Sequence, residues 1–302
     1  MKQKPQQPIE SIAKRFGIVL LYHSVSPNTP GKPENTIHNT TPDCFEKNLR
    51  DIGKHFKFVN LEELSSSADK SGLASVTFDD GYKNIFLNAL PILEKYRIPG
   101  TLFLNPVTFN GQYNWRDKVR HVIKNNLEDT FLKTSALNFR EGKFYRYSKS
   151  CLNNSHKIDT QLNNLIGNKT LNVYKGYPYL TIHELILDNP LINYGNHSLD
   201  HYVLSSLDES QQTHQIIEAQ NRLKEAIGSN ISKCFSAPFG GTSDINNATL
   251  SILRKADYKS VLMSRQKLQP GRPESERPQV LERFMPRSKN IIDEIFSALN
   301  TT

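Results

Sequence analysis

Apolar and polar positions follow two different patterns along the first 110 residues. Three continuous apolar runs, each too short for a buried helix, predict strands of a sheet: GIVLLYH (17–23), LASVTF (73–78) and IPGTLFL (98–104). Between the first two runs, apolar residues recur at spacings of three and four from Phe45 to Phe56, which predicts a helix with Thr41 or Asp43 as its N-cap. Strands and helices therefore follow each other with short connections.

Residues 114–180 interrupt this alternation. They are rich in Asn, Lys, Ser and Tyr and show weak periodicity, as expected of an insertion. Alternation resumes at YLTIHEL, and a long amphipathic stretch predicts a helix with Ser206 and Glu209 as its capping box and Gly228 as its end. Such alternation predicts a parallel α/β sheet, open or closed into a barrel. We expect one domain over residues 1–302, with an insertion at about 114–180.

The composition is that of a soluble globular protein, with 23% charged and 37% hydrophobic residues. No apolar run approaches the roughly 18 residues that a membrane-spanning helix needs. The early apolar stretch GIVLLY is short and lacks a small-residue cleavage site, so it predicts a first strand rather than a signal peptide, and a cytoplasmic location is expected. The three widely spaced cysteines form neither a disulfide framework nor a CxxC zinc site.

The formal net charge of +8 is concentrated in the predicted insertion. Residues 114–180 hold 12 Lys and Arg against 5 Asp and Glu, an excess of +7. This asymmetry favours an acidic partner, such as a phosphate, a nucleotide, an anionic lipid or a nucleic acid, and a solvated basic insertion without a ligand is the alternative. No nucleic-acid partner is expected, because the segment holds no recognisable nucleic-acid-binding motif.

Polar side chains follow several of the predicted strands at the point where each strand ends. Three strand ends supply the pairs and single groups of interest: Asp79 and Asp80, His197 and His201, and His23. The loop SAPFGG follows a further strand-like run, KCF. Because the carboxyl ends of parallel strands meet at one edge of a sheet, these groups are expected to form one site.

The spacing HxxxH of His197 and His201 allows both imidazoles to face one side. Two neutral imidazoles and one carboxylate make an open site for a catalytic metal ion. HxxxH alone is a weak signal, and either Asp79 or Asp80 can instead cap the following helix. If one carboxylate binds a metal ion, its charge is largely neutralised, so the second can lie beside it and take a proton from water.

Three motifs together carry a resemblance to a known family. TFDDGY, HSLDH and SAPFGG, in this order, resemble the metal-binding and catalytic motifs of the polysaccharide deacetylases, carbohydrate esterase family 4 with the NodB-type domain. LLYHSVSP and LTIHEL resemble a branch of that family, and the likeness covers roughly residues 17–113 and 178–290. The resemblance implies a distorted (β/α)7 barrel, which agrees with the alternation of strands and helices.

The resemblance also implies a role for each matching residue. Asp79 corresponds to the general base, and the loop of Pro238 and Phe239 contacts the substrate, with the Phe239 N–H holding the developing oxyanion. The implied ligands of a divalent metal ion, expected to be zinc, are Asp80, His197 and His201. The implied reaction hydrolyses the acetamide of an N-acetylated amino sugar to acetate and a free amine.

The chain departs from the family pattern at two places. Ser236 stands where the family usually has an Arg that orients the catalytic base, and Arg283 or Arg287 is the candidate to supply that charge, a surface position being the alternative for both. The late Leu-x-His motif, whose His is the general acid in many members, is missing from the sequence. His23 is the substitute expected from its position, and a structural role at its strand end is the alternative.

We predict from these observations a metal-dependent hydrolase that removes the N-acetyl group from an amino sugar of a saccharide or glycoconjugate. The basic segment favours an anionic, lipid- or nucleotide-linked saccharide and leaves peripheral contact with a membrane open. Two alternatives remain: a catalytically impaired saccharide-binding relative and an amidohydrolase for a non-sugar amide. The aromatic residues that flank the insertion either stack on a sugar ring or anchor the segment: Trp115, Tyr177 and Tyr179.

Overall fold

A computed structural model of the chain describes residues 9–27, 38–134, 144–167, 171, 173, 176–228, 231–272 and 277–300. No helix in these ranges is long and apolar enough to cross a membrane. The strands in these ranges are β1 (Phe16–Tyr22), β2 (Ser24–Val25), β3 (Asn39–Thr40), β4 (Lys57–Phe58), β5 (Leu73–Phe78), β6 (Gly100–Leu104), β7 (Ile192–Asn196), β8 (Cys234–Ser236), β9 (Ser260–Met263), β10 (Gln269–Pro270) and β11 (Gln279–Glu282).

Within the described residues, seven parallel strands form a nearly closed barrel in the order β1-β5-β6-β7-β8-β9-β11. The ring closes where Leu20 of β1 pairs with Phe284, just after β11, and the Leu21 N–H donates to the Phe284 carbonyl at 2.9 Å. β10 runs antiparallel to the start of β1. The predicted (β/α) barrel is therefore confirmed, and its strand ends share one mouth.

Helices surround the barrel because their apolar stripes pack against the outer faces of the strands. They are α1 (Ile9–Ala13), α2 (Pro42–Gly53), α3 (Leu61–Ser66), α4 (Leu90–Tyr96), α5 (Trp115–Lys124), α6 (Glu128–Thr134), α7 (Phe144–Ser148), α8 (Ser155–Ile166), α9 (Glu209–Ile227), α10 (Asn247–Lys255) and α11 (Ile291–Asn300). In α2 the stripe of Phe45, Leu49 and Ile52 is buried, and the Thr41 hydroxyl accepts from the Cys44 N–H at 3.3 Å, as an N-cap does.

The start of α9 differs from the prediction. Its N-cap is Asp208, whose carboxylate accepts from the Gln211 N–H at 2.8 Å, and not Ser206. The Ser206 hydroxyl is used elsewhere, since it donates to the Val203 carbonyl at 2.7 Å and accepts from the Ser155 N–H at 3.1 Å. The predicted end at Gly228 is confirmed, with the Gly228 N–H bonded to a carbonyl of the last turn.

Four helices, α5 to α8, occupy the segment predicted to be an insertion, between β6 and β7. Their apolar faces form one buried cluster with residues of β8 and β9, which anchors the segment against the barrel: Trp115, Val119, Phe131, Ile158, Leu162, Phe235 and Val261. Residues 135–143, 168–170, 172 and 174–175 of the segment lie outside the described residues. The segment therefore forms part of the wall around the barrel mouth.

Candidate metal centre and active site

The carboxyl ends of the strands meet in one cleft that is partly open to solvent. Six of the residues selected from the sequence line it: His23, Asp79, Asp80, His197, His201 and Phe239. They come from the ends of β1, β5, β7 and β8, which are far apart in the chain. The barrel therefore collects the predicted groups at a single place.

Asp80, His197 and His201 place one ligand atom each within 4.8 Å of the others. Asp80 Oδ1 lies 3.5 Å from His197 Nε2 and 3.3 Å from His201 Nε2. These separations match the roughly 3.3 Å between neighbouring ligand atoms of a tetrahedral ion bound at about 2.0–2.1 Å. Asp80 Oδ1 is buried and has no hydrogen-bond partner among the described residues, which suits an atom that holds a cation.

The orientation and charge of the two histidine rings also suit the binding of a cation. His197 Nδ1 lies 2.8 Å from the Ser236 carbonyl, so Nδ1–H donates to it and the lone pair of Nε2 faces Asp80. Burial lowers the pKa of His201 to about 3, although the negative charge of Asp80 acts to raise it. The ring is therefore neutral and can offer a nitrogen lone pair to a metal ion. Burial also disfavours a charged His197, but Asp79 and Asp80 outweigh it and raise its pKa. The carboxylates of Asp79 and Asp80 thus favour a positive charge beside His197.

Asp79 lies beside the three potential ligands and has a different set of partners. Arg283 donates to both of its oxygens, from Nη1 to Oδ1 at 2.8 Å and from Nη2 to Oδ2 at 2.7 Å. The Ser236 hydroxyl donates to Oδ1 at 3.0 Å. Burial would raise the pKa of Asp79, but the charges of Arg283 and His197 outweigh it and hold the pKa below its usual value. The carboxylate is therefore ionised and fixed in orientation.

Of the two arginines proposed to replace the family's Arg, only Arg283 reaches Asp79 among the described contacts. Its side chain is fully buried, and it also donates to the Ser264 hydroxyl at 2.9 Å. Arg287 is exposed and its backbone N–H bonds to the Glu294 carboxylate. Arg283 is therefore the arginine that contacts the candidate base, and no described contact joins Arg287 to it.

His23 lies at the edge of the same cleft, and its ring centroid is 4.9 Å from that of His38. Its Nδ1 has no hydrogen-bond partner among the described residues. Burial lowers the pKa of His23, while Asp80 and Asp79 act in the opposite direction. The ring is therefore neutral at neutral pH and would have to gain a proton before it could act as an acid.

The loop after β8 brings the Phe239 backbone to the cleft in a left-handed conformation, with φ of 62°. Pro238 precedes it and its carbonyl accepts from the Gly240 N–H. Within the described part of the chain no acceptor bonds to the Phe239 N–H, which leaves this donor for a ligand. Asp80 and His201 also have positive φ, at 69° and 60°. Positive φ also occurs outside the cleft, at Arg97, Asn126, Asp257 and Gln266. At Asp80, His201 and Phe239 it therefore sets the direction of the loops around the site.

Several supporting contacts were not apparent from the sequence. The Asn105 amide donates to the carbonyls of His197 and Ser198, and the Trp115 indole N–H donates to the His201 carbonyl at 2.8 Å. Trp115 is buried, so it anchors the segment and positions a ligand residue rather than stacking on a sugar. The sequence singled out Trp115 as an aromatic residue at the start of the insertion, but nothing in it showed that Trp115 or Asn105 contacts the HSLDH motif.

The outer aromatic residues have mixed surroundings. Tyr179 is buried, lines the cleft and donates to Asp117 Oδ2 at 2.6 Å, whereas Tyr177 is half-buried and stacks edge-on against Tyr179. Basic residues of the predicted insertion also reach the cleft: Arg116, Arg120 and Lys149. The excess of charge in that segment was the signal for them, although it did not say which residues face the site.

The chain resembles known proteins in both sequence and structure. A sequence model of the family named polysaccharide deacetylase matches residues 66–130 and 165–261, more than half of the chain. A poly-β-1,6-N-acetyl-D-glucosamine N-deacetylase of Staphylococcus epidermidis is 30% identical over 105 residues, which are 30% of this chain and 36% of that protein. The match thus spans little more than a third of that curated relative.

Two solved structures share the fold. The Streptococcus pyogenes deacetylase PplD, in complex with acetate, superposes with a TM-score of 0.60 at 16% identity and covers 95% of this chain and 97% of its own. IcaB from Ammonifex degensii gives a TM-score of 0.58 at 17% identity, over 95% of this chain and 96% of its own. At this level of identity the structures support the barrel, and the sequence match decides the family. The chain belongs to the polysaccharide deacetylase family of enzymes.

Proposed function

We propose that the chain is a metal-dependent hydrolase that removes the N-acetyl group from an amino sugar of a saccharide or glycoconjugate. The observation that carries this is the juxtaposition of two sets of groups in one cleft. One set is the potential ligand triad of Asp80, His197 and His201, and the other is Asp79 held by Arg283. Asp79 Oδ2 lies 3.7 Å from His197 Nε2, so water beside the triad is within its reach.

The donor set of one carboxylate and two imidazoles suits a divalent ion, with zinc the expected one. When bound, such an ion supplies Lewis-acid chemistry, which polarises the acetamide carbonyl and acidifies water. Asp79 accepts the proton from the attacking water, and Arg283 holds its carboxylate in position. The Phe239 N–H donates to the carbonyl oxygen as negative charge develops there. The C–N bond then breaks, and acetate and the free amine leave.

Protonation of the leaving amine needs an acid, and His23 is the candidate because its ring lines the cleft. Since His23 rests neutral, Asp79 is the group that holds the proton taken from water, and this proton can pass to the nitrogen directly or by way of His23. The basic wall of the cleft supports a saccharide that carries negative charge as the substrate.

The test is acetate release from N-acetylglucosamine oligomers by the wild type, Asp79→Asn and His197→Ala, with metal content measured on each protein. Asp79→Asn should keep its metal and lose at least about 100-fold in kcat, because the ligand triad is intact but the base is gone. His197→Ala should lose both metal and turnover. As a control, His183→Ala changes an exposed histidine outside the cleft and should keep both.

Near-full turnover of Asp79→Asn would contradict the assignment of the base. Bound metal without acetate release from any N-acetyl sugar would instead support a catalytically impaired saccharide-binding relative. Release of ammonia, or of an amine from a non-sugar amide alone, would point to an amidohydrolase of another substrate class. Thermal unfolding of each variant shows whether a loss of activity reflects a loss of the fold.

A further inference from the structure

The positive charges on the wall of the cleft are not equally neutralised. Arg120 Nη1 donates to Asp117 Oδ1 at 2.8 Å, so this cation has a buried counterion within α5. Lys118, on the same helix, pairs with Asp159 at 2.7 Å. Arg116 and Lys149 differ from these two, because no carboxylate of the described residues forms an ion pair with either of them. Two cations that form no ion pair with a described residue therefore border the candidate active site, with Asp117 and Asp244 acting on them only from a longer distance.

The Arg116 side chain is buried, with only 3% of its surface exposed, and its contacts hold it in one place. Its guanidinium lies over the rings of Trp115 and Tyr145, at 4.8 and 4.4 Å from their centroids, and donates to the Ser148 hydroxyl and the Tyr145 carbonyl. Its Nε has no hydrogen-bond partner among the described residues. A buried cation whose contacts are neutral, with a donor left over, is costly unless an anion approaches it.

Lys149 lies near two of the same aromatic rings as Arg116, those of Tyr145 and Phe239. Its Nζ is 5.6 Å from the Phe239 ring and 5.5 Å from the Tyr145 ring, and its side chain is half-buried. The Phe239 ring also packs against His201, with centroids 4.7 Å apart, so Lys149 lies one side chain away from a potential metal ligand. A lysine on its flexible stem can follow a charged group that the rigid Arg116 binds.

We propose that Arg116 and Lys149 form a subsite for an anionic group, a phosphate or a carboxylate, that the saccharide substrate carries next to its N-acetylated sugar. The proposal rests on the function proposed above and specifies its substrate class. The anion would provide the counterion that both cations lack, in a cleft where water is partly excluded and each charge-assisted hydrogen bond is strong. A neutral sugar in the same place would leave both cations unpaired.

The test compares three probes: N-acetylglucosamine, N-acetylglucosamine 6-phosphate and N-acetylmuramic acid, which carries a carboxylate. The wild type should prefer at least one charged probe in kcat/KM by about 10-fold or more at low salt, and the preference should fall as salt screens the charges. Which charged probe is preferred distinguishes phosphate from carboxylate. Lys149→Gln should reduce the preference by about 5- to 10-fold. Arg116→Lys, which keeps the charge but loses the fork geometry, should reduce it in part.

The matched control is Lys157→Gln, which removes the same charge from an exposed position on α8 outside the cleft and should leave the preference unchanged. Equal kcat/KM for neutral and charged probes, or equal effects of Lys149→Gln and Lys157→Gln, would overturn the subsite while leaving deacetylation intact. If no probe releases acetate, calorimetric binding of the same probes to the metal-loaded protein decides. A preference for charge that Lys149→Gln removes and Lys157→Gln keeps would support the subsite, and the lack of such a preference would overturn it.

Discussion

Asp79 and Asp80 are neighbours in the chain, yet each carboxylate has its own positive surroundings. Asp79 is bound at both oxygens by Arg283, whereas Asp80 Oδ1 faces the Nε2 atoms of His197 and His201. Two adjacent buried anions repel strongly when they share one counterion. Here the Arg283 guanidinium offsets the charge of Asp79, and a metal ion held by the triad, as proposed above, would offset that of Asp80. The pair can thus divide two tasks, proton transfer and ligation.

Arg283 and Ser236 both donate hydrogen bonds to Asp79, and loss of the Arg283 contacts should reduce kcat and stability more than loss of the Ser236 contact. Arg283→Gln removes a bidentate charged contact and leaves a buried carboxylate without its cation, so we expect a loss of at least about 100-fold in kcat and of about 3–5 kcal/mol in the free energy of unfolding. Ser236→Ala removes one neutral hydroxyl donor and should cost about 10-fold or less in kcat. Steady-state kinetics and denaturant unfolding of both variants measure these effects.

Arg283→Lys serves as the control in that experiment, because it keeps the charge and should recover part of the stability and of kcat. KM should change little in all three variants, since these residues contact the base rather than the sugar. A larger loss of kcat in Ser236→Ala than in Arg283→Gln would contradict the view that Arg283 is the main positioning partner of Asp79.

At the scale of single elements, the ends of the strands position the side chains of the site. β5 ends directly before Asp79, and β7 ends directly before His197, so the pleat of each strand determines the direction in which these side chains leave the barrel. Helix ends are set in the same local way when a cap is available. The choice among several possible caps depends on neighbours, as the start of α9 shows.

Asp208 rather than Ser206 caps α9, which predicts a measurable difference between neighbouring acidic residues. Asp208→Ala should lower the free energy of unfolding by about 1 kcal/mol, because the Gln211 N–H loses its acceptor. Glu209→Ala, in the first turn of the same helix, should lower the free energy of unfolding by only about 0.3 kcal/mol, because it removes a favourable interaction with the helix dipole. Urea unfolding of the two variants compares them, and equal losses would contradict the assignment of the cap.

At the scale of the whole molecule, barrel closure joins groups that are distant in the chain. Asp79 and Arg283 are separated by 204 positions, and their contact exists because the strand ends of β5 and β11 open on the same mouth. The helices α5 to α8 cover part of that mouth and add the basic wall. The site therefore depends on the closed fold and cannot persist in the unfolded chain.

Because the ligand triad exists only in the folded state, a metal ion should stabilise the whole protein. Zinc at about 100 times its dissociation constant should add about 2.7 kcal/mol to the free energy of unfolding and raise the Tm, and a chelator should reverse the shift. His201→Ala should lose most of the shift, while Asp79→Asn, which leaves the triad intact, should retain it. A Tm that does not respond to zinc, or an equal response of His201→Ala and the wild type, would show that the triad does not hold the ion. Thermal unfolding followed by circular dichroism provides the measurement.

Much of the fold was predictable because its signals are local. The apolar runs of β1, β5 and β6 are continuous over seven, six and five residues, and the stripe of α2 has a period of 3.6 residues, so each signal lies within a short window. The motifs TFDDGY and HSLDH likewise hold the candidate base and the three potential ligands within a few residues of strand ends. The helices of the segment after β6 were missed although α5 and α8 bury apolar stripes, and α6 and α7, of seven and five residues, are too short for a period of 3.6 residues to repeat.

The sequence by itself determined the alternation of strands and helices, and its motifs marked Asp79, Asp80, His197 and His201 as candidate site residues. The alternation left the sheet open or closed, and only the family resemblance of those motifs implied a barrel. Only the tertiary structure decided which arginine reaches Asp79 and which cations, among the described residues of the basic segment, form an ion pair. Periodicity and short motifs are set by neighbours within one or two turns of the chain. The pairing of a charge is set by whatever the closed barrel brings within a few ångströms of it, however distant in sequence.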